Sequence, residues 1–283
     1  MSSIQIVGVH GIRQWDTNAL KLGTDWRTAL AYGITRYFGA AAHVPGLLTP
    51  YYGDVFPKTK RFQLSQPDLD DLTDPNEINF VVETLEEYAP DLDLPEPEGT
   101  LGVPPRVRPR ITQWLAGLDG KWGRGAGETI VTRIRELYGY LHNPTAAEQA
   151  RQRIVDSLTD SDVRLVIAHS LGSVIIYDMS QRGEIPAPGA NGGGVGTLIT
   201  CGSPLNWPPV KRHLDVTGEF QLPASITWVN IFDPKDPITA GQGLSGKATD
   251  VQDIQVDNGD DPHAARRYLR QEAMARAVRT ALA

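Results

Sequence analysis

One cysteine, Cys201, in 283 residues leaves no internal disulfide and no multi-cysteine metal site. Its neighbours Leu198, Ile199 and Thr200 place it at the end of a buried strand, which suits a structural thiol better than a nucleophile. The opening Met1-Ser2-Ser3 has no basic cluster and no apolar stretch of signal-peptide length behind it, so the expected location is cytoplasmic. No run approaches the length of a membrane span. A basic stripe is missing too: 27 Lys and Arg against 34 Asp and Glu give a net charge of −7, which argues against a nucleic-acid-binding surface. Asn191-Gly192-Gly193-Gly194 is rich in glycine, yet it lacks the lysine and the serine or threonine of a phosphate-binding loop and precedes a strand. It reads as a flexible connection. Nothing implies a metal or an organic cofactor.

What is present is enough for one substantial core, since 40% of the residues are hydrophobic. Short β-branched runs at 4–9, 47–52, 163–168, 195–201, 226–232 and 251–256 alternate with helical patterns, so the expected class is α/β with a mostly parallel sheet and helices on both faces. We read residues 1–283 as one domain with an insertion at about 60–125. Phe62 to Pro105 holds 12 acidic residues and no lysine or arginine, so the acidity of the chain is local. Within it Asp74-Pro75-Asn76-Glu77 carries the marks of a helix start, and Pro90 to Pro109 reads as an irregular connection. Trp114, Leu115, Leu118 and Trp122 fall at helical spacing, which favours core packing, with a lid over a pocket as the second choice.

The run Val163 to Ala168 is short and apolar, as in a strand buried on both faces. It meets Ala168-His169-Ser170-Leu171-Gly172, and a helix is expected from about Leu171. Small residues on both flanks of Ser170 suit a strand that reverses sharply into a helix, leaving the hydroxyl exposed above the sheet and the Leu171 amide aimed beside it. Alone, the pattern is also that of a serine turn with no chemistry. Further along lie two candidate acids in Asp233-Pro234-Lys235-Asp236-Pro237, either of which could merely cap its turn. Asp261-Pro262 opens a closing helix by the same logic as Asp74-Pro75, with His263 at the junction. At the other end, Ile4 to Val9 is followed by His10-Gly11-Ile12.

Serine, acid and histidine, each after an expected strand and in that order, make the chain resemble the α/β-hydrolase superfamily, and most closely its lipase- and esterase-like serine hydrolases. The resemblance covers residues 4–54 and 160–283 and leaves the acidic insertion unmatched; alanine at 168 replaces the usual first glycine. It implies Ser170 as nucleophile, His263 as general base, Asp236 as the orienting acid with Asp233 close behind, and the amides of Ile12 and Leu171 as an oxyanion hole. It further implies a carboxylic ester as substrate, with a hydrophobic or medium-sized acyl group. Acyl transfer, thioester or peptide cleavage, and an idle hydrolase-fold binding protein are the alternatives on the same site. His10 is expected to be structural. His43, His142, His169 and His213 are rivals to His263 that fit surface or core positions better.

Overall fold

The computed structural model describes residues 3–11, 17–56, 72–92, 107–159, 162–189 and 193–283. The chain order is β1 (Ile4–Val9), α1 (Ala19–Phe38), β2 (Gly46–Leu48), α2 (Pro75–Tyr88), α3 (Val107–Trp122), α4 (Ala126–His142), α5 (Pro144–Leu158), β3 (Leu165–His169), α6 (Leu171–Gln181), β4 (Thr197–Cys201), α7 (Pro208–His213), β5 (Thr227–Phe232), β6 (Val251–Gln255), α8 (Ala265–Leu269) and α9 (Glu272–Leu282). The strands form one six-stranded sheet in the order β2-β1-β3-β4-β5-β6. Every pairing is parallel. All strands therefore end at one edge, which is where α/β sheets bind their ligands.

Alternation within the strands supplies two cores. Val7, Val9, Val166, Ala168, Leu198 and Trp228 face the layer that holds α2 to α7. Ile6, Leu165, Ile167, Ile199, Val229 and Ile231 face the opposite layer of α1, α8 and α9. Covering both faces explains why β3 is apolar throughout and buried at every position. No helix among the described residues is long and apolar enough to cross a membrane.

Helix α1 runs unbroken through Gly23 and Gly33, with the Asn18 side chain accepting from the Lys21 amide at its start. A Cβ at Gly33 would come within 2.9 Å of the Leu269 carbonyl, so that glycine serves the packing of α8 and breaks nothing. Strand β2 is three residues long, against the expected 47–52; Pro50 has no amide with which to extend the ladder. The proline-rich connection expected to Pro109 gives way at Val107, where α3 begins, and Pro109 falls in its first turn, which proline tolerates. Finally, Asp261-Pro262 opens no helix. The Asp261 carbonyl accepts from the Ala264 amide in a turn and its carboxylate pairs with Arg266, so α8 begins only at Ala265 and is separated from α9 by Arg270 and Gln271. By contrast, Asp74 does cap α2, accepting from the Asn76 amide at 2.9 Å.

Candidate active site

Ser170 links β3 to α6 with φ 56° and ψ −132°. This is a left-handed conformation that an L-residue holds at a cost on the order of 1–3 kcal/mol. Two close approaches hold it there. A Cβ on Gly172 would lie 2.3 Å from the Val9 carbonyl, so only glycine lets α6 start against the end of β1. A Cβ on Gly11 would lie 3.5 Å from that of Ser170, so the loop after β1 passes directly over the serine. Leu171 is the first residue of α6, and its amide has no intrahelical acceptor. Ile12, the other expected amide, lies outside the described residues, as do Asn191 and Gly192 of the glycine run.

From Ser170 a line of hydrogen bonds leads inward. His263, in the loop between β6 and α8, places Nε2 at 3.0 Å from the Ser170 hydroxyl oxygen. Its Nδ1 lies 2.9 and 3.0 Å from the two oxygens of Asp236. A carboxylate only accepts, so Nδ1 carries the proton and Nε2 is left to accept from the serine. Asp236 is fully buried and takes two further donors, the Tyr268 hydroxyl and the Ile238 amide, each at 2.8 Å. Burial and the adjacent Asp236 charge raise the Tyr268 phenol well above its ordinary range, so it remains a donor.

Asp233 is also fully buried but points elsewhere. Its oxygens accept from the Lys235 amide at 2.8 Å and the Asn258 amide at 2.5 Å. The Asn258 side chain in turn donates to the carbonyl of Pro262, next to His263. Asp233 thus ties the β5 loop to the histidine loop without touching the imidazole.

Three residues whose importance the sequence concealed surround this line. His169 is buried, and its Nε2–H donates to the His263 carbonyl at 2.8 Å. Desolvation first, and the neighbouring His263 second, hold its pKa well below the usual histidine value, so the ring is neutral. Tyr268 and Asn258 are the others, and nothing in their local sequence marks them. His10 behaves as expected for a structural residue. It bonds the Gly11 carbonyl through Nδ1, receives the Tyr52 amide at Nε2, and stacks on the Tyr52 ring at 3.9 Å; burial lowers its pKa to about 4.

The remaining rivals stay away. His142 and His213 pack with Phe80 in an aromatic cluster, and His43 is exposed ahead of β2. Cys201 is buried, its thiol pKa pushed up by desolvation and by Asp236, which leaves an inert side chain. Ser203 uses its hydroxyl to accept from the Leu205 amide within its own turn. Asp54, which precedes the serine in the chain, pairs with Arg153 at the surface.

A cleft of about 940 Å³ is lined by His263 and His169, by Trp122 and by the α4 residues Thr129, Thr132 and Arg133. Among the described residues no group of three or more His, Cys, Asp or Glu could hold a metal ion. The arrangement can draw a proton from a buried serine hydroxyl toward a carboxylate-backed imidazole, and that imidazole lines a space large enough for a small organic molecule. No protein-family model, no curated protein and no solved structure matches this chain, so the case for what it does is carried by these residues and their geometry alone.

Proposed function

We propose that the protein is a serine hydrolase of the α/β-hydrolase type that cleaves a carboxylic ester through an acyl-enzyme intermediate. The observation that carries this reading is the continuous line from the Ser170 hydroxyl through His263 to Asp236, with contacts of 3.0 and 2.9 Å. It begins at a residue held in a strained turn at the ligand-binding edge of the sheet.

In this reading Ser170 attacks the ester carbonyl while His263 Nε2 takes the hydroxyl proton. Asp236 keeps the imidazole in the required tautomer and stabilises the imidazolium as it forms. The Leu171 amide, with that of Ile12 as its partner, receives the developing oxyanion; a donor of this kind contributes roughly 2.7–4 kcal/mol in other enzymes. His263 then returns the proton to the departing alkoxide, and the alcohol leaves. Water, deprotonated by the same imidazole, attacks the acyl-enzyme and releases the carboxylic acid and free Ser170. One ester and one water become one acid and one alcohol.

Labelling with a fluorophosphonate probe tests the reading directly. Wild-type protein is expected to label at Ser170 and the Ser170→Ala variant to stay unlabelled; an unlabelled wild type would support an idle hydrolase-like binding protein instead.

A further inference from the structure

Within α4, three residues apart, two kinds of threonine occur. Thr129 returns its hydroxyl to the Gly125 carbonyl at 3.0 Å, as Thr24, Thr35 and Thr84 do to the carbonyls four residues before them. Thr132 does not. It is 4% exposed, lines the cleft, and its hydroxyl has no hydrogen-bond partner. The next residue, Arg133, spends one terminal nitrogen on both oxygens of Glu136 and leaves its Nε–H buried and unpartnered on the same wall. The Trp122 indole nitrogen, at the cleft edge, is likewise buried without a partner.

Buried polar groups in folded proteins are almost always satisfied, and donors left open in a cleft imply an acceptor that arrives with the ligand. The acids around the same cleft do not provide one. Asp260 and Asp261 are engaged by Arg267 and Arg266, and Glu128 has an interaction of its own. The Arg133 N–H and the Thr132 O–H, both on residues that line the cleft, offer two open donors to the two oxygens of a carboxylate.

Resting on the hydrolase reading, we propose that the substrate is a half-ester of a dicarboxylic acid: its ester carbonyl lies over Ser170, and its free carboxylate is held by the Arg133 Nε–H and the Thr132 hydroxyl. This departs from the hydrophobic acyl group that the resemblance implied. An alkyl chain against this wall would leave both donors unsatisfied.

The test compares monoethyl adipate with ethyl hexanoate, which share a six-carbon acyl chain and differ in the terminal carboxylate. Wild type is expected to favour the adipate ester at least about tenfold in kcat/KM. Thr132→Val and Arg133→Met should each lower that ratio about fivefold or more, chiefly by raising KM for the charged ester, while Thr132→Ser, which keeps the hydroxyl, should preserve it. A ratio near one in wild type, or equal losses on both esters in the variants, overturns the proposal. Calorimetric binding of monoethyl adipate to the Ser170→Ala protein separates the two claims. Binding retained with Ser170 unlabelled by fluorophosphonate sinks the hydrolase reading and keeps the carboxylate site; labelling without adipate preference sinks only the carboxylate site.

Discussion

Each polar partner in the line behind Ser170 has a near twin of the same residue type. Asp236 has Asp233 three residues before it, and His263 has His169, its ring 4.8 Å away. All four are buried or nearly so. The difference lies in what they bond. Asp236 and His263 bond side chain to side chain, toward the serine; Asp233 and His169 bond backbone, an amide of Asn258 in one case and the carbonyl of His263 in the other. Residue type and burial therefore do not mark which member of either pair joins the line to Ser170. The direction of its hydrogen bonds does, and the twin acts as a brace that holds the histidine loop in reach.

The comparison is broken most easily at the aspartates. Asp236→Asn is expected to lower kcat by about 10⁴-fold, because an amide that donates toward Nδ1 forces the wrong imidazole tautomer. Its unfolding free energy should also fall, by about 2–3 kcal/mol, since one of its two other donors, the Tyr268 hydroxyl or the Ile238 amide, loses its acceptor in a fully buried place. Asp233→Asn should share the loss of stability but not the loss of rate. One of its two backbone amides, from Lys235 or Asn258, loses its acceptor in a fully buried place, at a cost of about 2–3 kcal/mol in unfolding free energy. Its kcat should fall only about tenfold, as the histidine loop loosens. Steady-state kinetics beside urea titrations of both variants decides the matter, and interchanged results would transfer the role to Asp233.

How much of this could be read in the chain follows from how local each cause is. The turn at Ser170 was legible because its geometry demands small neighbours within two residues and a buried strand before it, all contiguous. The inner strands were legible because both faces of the sheet are covered there, so each is a mostly apolar run, and the edge strand β6 was legible from its alternation of apolar and polar residues. The choice between Asp233 and Asp236 was not, for both precede or follow proline in the same loop. They are separated by Asn258, His263 and Tyr268, which arrive from beyond β6. Asp261-Pro262 misled for a related reason: it repeats the Asp74-Pro75 signal, but Arg266 takes the carboxylate that a cap would need. The open donors on α4 were hidden because Thr132 and Arg133 sit beside the buried Val131 and Ile134, and which flank faces the cleft is settled only by packing.

The histidine twins can be sharpened in the same way. His169→Phe keeps the ring and removes the donor, leaving the His263 carbonyl without its 2.8 Å partner. A loss of about 1–2 kcal/mol in stability is expected, with a fall in kcat of roughly threefold to tenfold. His169→Gln, whose amide can donate to the same carbonyl, should recover most of the lost kcat if the bond is what matters; equal kcat in the two variants would reduce His169 to a core residue.

Acid titration of stability gives the smallest effect and bears on the twin alone. His169 is held neutral by burial, and His10 has its pKa lowered to about 4. Both depart downward from the unfolded value near 6.5, so below that pH the unfolded chain binds protons that the folded chain refuses. Their contribution is fully present above about pH 6.5 and is lost as pH falls toward 4, at no more than about 1.4 kcal/mol per pH unit for each ring. Equilibrium unfolding in urea between pH 7 and pH 4.5 should show a slope that becomes shallower in His169→Phe, because phenylalanine has no proton to take up. An unchanged slope would mean that His169 is already protonated in the folded protein, which would place a positive charge beside His263 and contradict its part as a neutral brace.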